Sequence, residues 1–170
     1  MNFPELARAR ISVRGYRPDP VPEALLRSVL DTARMAPSAA NRQPWTLVVV
    51  REAARRAALA AAYPREWFAH APVHIAVCVE PDAAWTRAQD GWNAAVLDGA
   101  ILMDHLTLAA ADAGLGTCWI CAFDPASARA ALNLPEGVIP VALTPLGYPD
   151  DPGRPKSRKP LEDLVRHDHW

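Results

Sequence analysis

The sequence predicts one domain of the α/β or α+β class, because stretches with helical spacing alternate with short β-branched runs. A length of 170 residues suits one domain and is enough to bury a core. No internal repeat, low-complexity tract or shift in composition marks a second domain across residues 1–170.

The elements follow in order. Residues 5–11 form a short first helix. Val21-Pro22-Glu23 opens a second: proline suits a first helical turn and the acid complements the dipole. Leu26, Val29, Leu30 and Ala33 then recur at helical spacing, and Pro37 stops it. A polar loop over residues 38–44 leads to a strand over 46–50, where Thr, Leu and three valines suit a buried sheet. The Ala- and Arg-rich stretch 52–63 is a helix, and 73–79 is the second strand. Residues 81–92 are irregular. A long central helix spans 93–113 and ends at Gly114. A third strand covers 117–121, a helix 125–132 and a fourth strand 139–146. A tail rich in Pro, Gly and charge closes the chain.

Charge and hydropathy exclude several classes. The 18 basic and 19 acidic residues nearly cancel, which argues against nucleic-acid binding. Residues 94–114 are apolar but include Asp98, Asp104, His105 and Asp112. Each Asp near a bilayer centre would cost roughly 2.5–3.5 kcal/mol, so this is a buried or interface helix and not a membrane span. The start lacks a signal-peptide pattern, and Cys78, Cys118 and Cys121 make an odd set of thiols, so the expected compartment is the cytoplasm.

No GxGxxG, Walker or HExxH pattern is present, and no metal site is expected. His167 and His169 are read as part of a frayed end. Cys118-Trp119-Ile120-Cys121 has the spacing of a redox dithiol, but it falls on an apolar strand, where the two thiols would face opposite ways.

Two basic stretches carry the functional signal. Arg10-Ile11-Ser12-Val13-Arg14 lies near one end and Pro155-Lys156-Ser157-Arg158-Lys159-Pro160 near the other. Each pairs cations with a hydroxyl, the donors a phosphate needs. Between residues 88 and 153 the only basic residue is Arg129, so the middle of the chain cannot supply that charge. Either stretch alone would read as ordinary solvated charge. Together they suggest a phosphorylated cofactor. The loop from Pro37 to Trp45 is a third element, with Ser38, Asn41 and Gln43 bracketed by two prolines and a Trp.

In this order the motifs resemble the flavin-dependent nitroreductase family. Its Arg-Arg-Ser-Val-Arg signature is similar to residues 10–14. Its Ala-Pro-Ser-x-x-Asn-x-Gln-Pro-Trp loop is matched at Ala36, Pro37, Ser38, Asn41, Gln43, Pro44 and Trp45. Its Gly-Leu-Gly-Thr-Cys-Trp-Ile-Gly strand is matched over 114–120, with Cys121 replacing the last Gly. The tail resembles Lys-x-Arg-Lys-Pro-Leu-Glu at 156–162. The resemblance runs over residues 10–165, nearly the whole chain.

The resemblance implies an α+β fold with a mostly antiparallel central sheet flanked by helices, in an intimate homodimer with FMN at the interface. The tail from about residue 148 would complete the cofactor site or the dimer. Arg10, Ser12, Lys156 and Arg158 would hold the 5′-phosphate. Arg14 would reach the pyrimidine edge, where a cation favours flavin reduction. Pro37, Ser38, Asn41 and Gln43 belong to the cofactor loop, with Ser38 and Asn41 reaching the partner's flavin. The backbone at Cys121 and Ala122 would face the flavin ring. Ile11 replaces a usual Arg, for which Arg8 or Lys159 would compensate. Trp67, Phe68, Trp85 and Trp92 would line the acceptor pocket or else fill the core or interface. The implied activity is transfer of reducing equivalents from NADH or NADPH to nitroaromatics, quinones or similar electron-poor small molecules, with no side chain acting as catalytic acid, base or nucleophile. A specialised dehydrogenase, dehalogenase or flavin-fragmenting enzyme, a non-catalytic flavin binder, and a thiol–disulfide protein built on Cys118 and Cys121 are the alternatives.

Overall fold

In the computed structural model, which describes all 170 residues, the chain opens with helix α1 (Phe3–Ala9). Asn2 and Glu5 form a reciprocal capping box, with bonds of 3.0 and 3.1 Å. That cap starts the helix ahead of the expected residues 5–11, and the chain turns extended at Arg10. Helix α2 (Glu23–Ala33) follows, burying Leu26, Val29 and Ala33 on one face.

The sheet is antiparallel throughout, with strand order β1-β2-β4-β3. Strand β1 is Trp45–Val50, β2 Val73–Val79, β3 Gly116–Thr117 and β4 Ile139–Gly147. The β1–β2 register runs from Trp45 opposite Val79 to Val50 opposite His74. A bulge at Val77/Cys78 brings Pro140 opposite Cys78, a place where a missing N–H is tolerated.

All seven residues of β2 are buried, so the sheet is covered on both faces. On one face Val73, Ile75 and Val77 pack with α2 and with Leu102, Met103 and Leu106 of α5 (Ala95–Asp112). On the other, Ala76 and Cys78 pack with Leu59 of α3 (Ala53–Ala60), Phe68 of α4 (Glu66–Ala69) and Ala128 of α6 (Pro125–Leu132). Alternation along β2 sorts its side chains between the two layers.

The expected strand over 117–121 is shorter than its apolar sequence implies. Beyond Thr117, the Cys118 N–H donates to the Thr144 hydroxyl at 3.2 Å, not to a carbonyl of β4. The ladder resumes only at Ile120, which exchanges two 2.9 Å bonds with Leu143. The stretch expected as one helix over 52–63 ends at Ala60, and α4 follows it.

His74 is a buried polar residue in this core. Its Nε2 meets the Phe68 carbonyl at 2.7 Å, and its ring stacks on Phe68 at 4.1 Å. Burial pushes its pKa down to about 4. The unfolded chain therefore binds the extra proton between about pH 6.5 and 4, and folding stability falls as pH drops through that window. The loss should approach about 3 kcal/mol. Urea unfolding measured from pH 7 to 4 should show that slope, and His74→Gln should abolish most of it. An unchanged slope in the variant would refute the assignment.

Candidate functional site

Backbone pairing draws the two basic stretches together. The N-terminal segment leaves α1 and lies between two parts of the sheet. Ser12 makes a parallel bridge with Thr117, and the Val13 N–H donates to the Thr117 carbonyl at 2.9 Å. Four residues on, Tyr16 bridges Pro149, with bonds from Arg17 N–H to Tyr148 O (3.0 Å) and Asp150 N–H to Gly15 O (2.9 Å). Buried Val13 and Tyr16 anchor the segment, and the Tyr16 hydroxyl donates to the Val13 carbonyl at 2.7 Å. Gly116 permits the approach: a Cβ there would lie 2.9 Å from the Val13 side chain.

The tail is then tied to this segment. The Asp151 carboxylate accepts from the Arg14 N–H at 2.9 Å and the Gly153 N–H at 2.8 Å. These bonds, led by Gly153, hold its pKa below the ordinary carboxylate range. The Lys156 ammonium donates to the Ala7 carbonyl at the end of α1. Ile11 has a packing role here. Its side chain lies over Gly153, where a Cβ would come within 2.2 Å of the Ile11 Cδ1 and where φ is +70°. Ile11 therefore acts as an apolar pin for the tail in place of the expected cation.

The result is a cleft of about 220 Å³ lined by Arg10, Ser12, Arg14, Lys156 and Arg158, together with Arg154 and Ser157. No acidic residue lines it. Lys156 has its pKa lowered, by partial burial first and then by the Arg10 and Arg158 cations. The cations thus crowd one another with no carboxylate lining the cleft, an arrangement suited to a phosphate dianion. Cys118 lies under this cleft. Burial raises its pKa, opposed by Arg14, Ser12 and Arg10.

The other predicted residues lie elsewhere on the chain. Pro37, Ser38, Asn41 and Gln43 do not line the basic cleft. Their loop is backed by Asp98, a carboxylate that is 1% exposed at the start of α5. Its Oδ1 accepts from the Ala39 N–H at 2.9 Å, while Oδ2 has no partner. The Ser38 hydroxyl accepts from the Gln43 N–H at 2.9 Å. Between these ties, Ala40, Asn41 and Gln43 all adopt left-handed φ of 50–52°. Asn41 and Gln43 face solvent.

Cys121 and Ala122 are exposed, and neither N–H has an acceptor within the chain. The Trp119 indole N–H donates to the Cys121 sulfur at 3.1 Å. Cys118 is buried and Cys121 exposed, and both are free thiols. Of the aromatic residues, Phe68 is fully buried and stacked on His74, so it is a core residue and lines no pocket. Trp67 packs edge-on against Tyr63 and Phe68. Trp85 is half-buried, and Trp92 is exposed beneath the Arg87 guanidinium at 5.2 Å.

Asp151, Gly153, Arg154 and the loop-backing Asp98 were not among the predicted site residues. Asp98 did carry a signal, as an acid in the middle of an apolar run. Asp151 had none, because it lies in a polar tail where an acid is unremarked.

The Nitroreductase family model matches residues 7–148. The chain is 36% identical to an NADH dehydrogenase of Thermus thermophilus, over 94% of this chain and 92% of that one. It is 29% identical to an FMN reductase (NAD(P)H) of Bacillus subtilis, over 92% of this chain and 69% of the relative. A crystal structure of a nitroreductase family protein from Clostridium difficile superposes with a TM-score of 0.86 at 35% identity, covering 100% of both chains. The motifs, the antiparallel sheet and these likenesses agree: the chain belongs to the nitroreductase family of FMN-dependent, NAD(P)H-linked oxidoreductases.

Proposed function

We propose that this protein is a homodimeric reductase of nitroaromatics, quinones or similar electron-poor small molecules. One observation carries the cofactor assignment: an acid-free cleft joining cations and hydroxyls from both ends of the chain. FMN, when bound, supplies the redox chemistry, accepting a hydride from NADH or NADPH and passing the electrons to the acceptor.

The chain's own residues bind and orient. Arg10, Ser12, Lys156 and Arg158 hold the 5′-phosphate by charge-assisted hydrogen bonds. Arg14 places a fixed cation toward the pyrimidine edge, where reduction builds negative charge. The free N–H groups of Cys121 and Ala122 are available to the ring and require no particular side chain. Pro37, Ser38, Asn41 and Gln43 form the cofactor loop, with Ser38 and Asn41 reaching the second site of a dimer, a reading supported by an outward-facing polar loop that does not line the cleft of its own chain. Two apolar side chains left exposed on α5, Val96 and Leu97 at 58% and 50%, support this reading. Trp67, Trp85 and Trp92 remain as walls for the acceptor. No side chain is assigned as acid, base or nucleophile, and protons come from solvent.

The purified protein should be yellow, or turn yellow with added FMN, and should bleach under anaerobic NADH or NADPH. Bleached protein should recover colour on addition of a quinone or nitroaromatic. Bound flavin that neither nucleotide reduces would make it a flavin binder and not a reductase.

Arg10→Ala and Arg158→Ala should each weaken FMN binding by on the order of 1.5–3 kcal/mol, read by titration of the apoprotein. Unchanged affinity in both would remove the phosphate assignment. Gly153→Ala should displace the tail from Ile11, weakening FMN while leaving the thermal transition of the core within a few degrees. Wild-type affinity in that variant would show that the pin is dispensable.

A further inference from the structure

Asp98 is the one buried acid in the chain, and the binding residues assigned above do not include it. It lies in the first turn of α5, with one carboxylate oxygen on the Ala39 N–H at 2.9 Å and the other without a partner. We propose that Asp98 is the positioning residue of the cofactor loop: by holding Ala39, it fixes the orientation in which Ser38 and Asn41 reach the flavin of a second subunit. The proposal rests on the flavin reading above and gives Asp98 no contact with the reacting atoms.

Connectivity is the first argument. The loop's other hydrogen bonds are internal. The Ser38 hydroxyl accepts from the Gln43 N–H at 2.9 Å, the Ser38 carbonyl accepts from the Asn41 N–H at 2.9 Å, and the Gln43 side chain donates to the Asn41 carbonyl at 3.1 Å. These bonds shape the loop but do not place it on the molecule. The Asp98 bond is the single hydrogen bond that joins residues 38–43 to the rest of the chain. It acts on Ala39, next to Ser38 and two residues before Asn41.

The choice of an acid is the second argument. Asparagine could accept the same N–H without enclosing an unpaired carboxylate oxygen, so stability alone does not account for Asp98. What the acid adds is a charge-assisted bond, about twice as strong as a neutral one. The loop has a use for that strength. Ala40 sits at φ 51°, ψ 25°, with Asn41 and Gln43 also left-handed, and such strain persists only where the surroundings over-determine it.

The support beneath Asp98 is rigid. The Asn93 side chain accepts from the Ala95 N–H and donates to the Pro81 carbonyl, both at 2.9 Å. The following residue, Gly99, lets α5 sit directly on the sheet: a Cβ there would come 2.8 Å from the Val79 side chain and 3.0 Å from that of Val141. A locked residue that grips a binding loop pre-organises it.

The test uses Asp98→Ala and Asp98→Asn, with two readouts. The first is native-state trypsin cleavage of the apoprotein after Arg42, which is exposed within the loop, with cleavage after Arg158 in the tail as internal reference. The second is FMN titration of the apoprotein. Asp98→Ala should speed cleavage after Arg42 and weaken FMN, each by about tenfold or more, with the thermal transition within a few degrees of wild type. Asp98→Asn, which keeps an acceptor for Ala39, should restore most of both. Arg10→Ala separates the two sites: it should weaken FMN and leave cleavage after Arg42 unchanged. Wild-type cleavage in Asp98→Ala would show that Asp98 does not hold the loop. Faster cleavage with wild-type FMN affinity would show that the loop's placement does not serve the flavin, and either result overturns the proposal. So does a lack of rescue by Asp98→Asn, or a drop in thermal transition that accelerates cleavage after Arg42 and Arg158 alike. If wild type takes up no FMN, the flavin reading falls and takes this role with it.

Discussion

The placement of residues 12–17 between Thr117 and the start of the tail is the constraint on which the site depends. Two short bridges, at Ser12–Thr117 and Tyr16–Pro149, fix both ends of this segment against the sheet. Alternation then does the rest. Val13 turns into the core, while Arg10, Ser12 and Arg14 line the cleft. The bridged backbone is held at both ends, so three donors are placed without any of them being buried. The same pairing brings Asp150 and Asp151 alongside Gly15 and Arg14, and so determines where the C-terminal cations can reach.

Grouping these cations works against the fold. Each approaches others of like sign with no carboxylate partner, and surface ion pairs elsewhere in the chain do not compensate. What opposes the repulsion is local and mostly uncharged: the ladder bonds, the Ile11–Gly153 contact and the Asp151 carboxylate. Asp151 is the one acid close by, and it faces two backbone N–H groups more directly than it faces any guanidinium. It therefore ties the tail down without neutralising the phosphate donors. A salt bridge at the same place would have stabilised the empty site and weakened its hold on an anion.

Much of this was legible in the sequence. Strand β2 follows from its continuous apolar, β-branched run, and the bounds expected for α6 are those observed. The two basic stretches were recognisable as one site because no other region could supply the charge. The misreadings have physical causes. The strand expected over 117–121 was broken by a side chain, since the Thr144 hydroxyl replaces a backbone acceptor, and no local pattern announces such a substitution. For Phe68 the sequence left pocket and core both open, because burial depends on tertiary packing; the core alternative is the one the structure takes, with His74, six residues away on β2, as its stacking partner. The tail's attachment was equally hidden. Asp151 and Gly153 act only through contacts with residues 11 and 14, a separation that neither propensity nor period can span.

The loop before β1 shows a different use of stability. Ala40, Asn41 and Gln43 sit at φ near 50°, which costs an alanine or glutamine more than an asparagine. Such a conformation persists only if its surroundings over-determine it. Here the Ser38 hydroxyl closes the loop from within and Asp98 holds it from below. Asp98 is nearly inaccessible and leaves one oxygen unpaired, an arrangement that pure stability would disfavour. A neutral, apolar residue at that position would suit α5 better but would release the Ala39 N–H. The strained loop and the buried acid are therefore one feature. Together they keep a polar, outward-facing turn rigid at the end of the long helix, so a second subunit meeting this face would encounter a preformed surface and spend little binding energy ordering it.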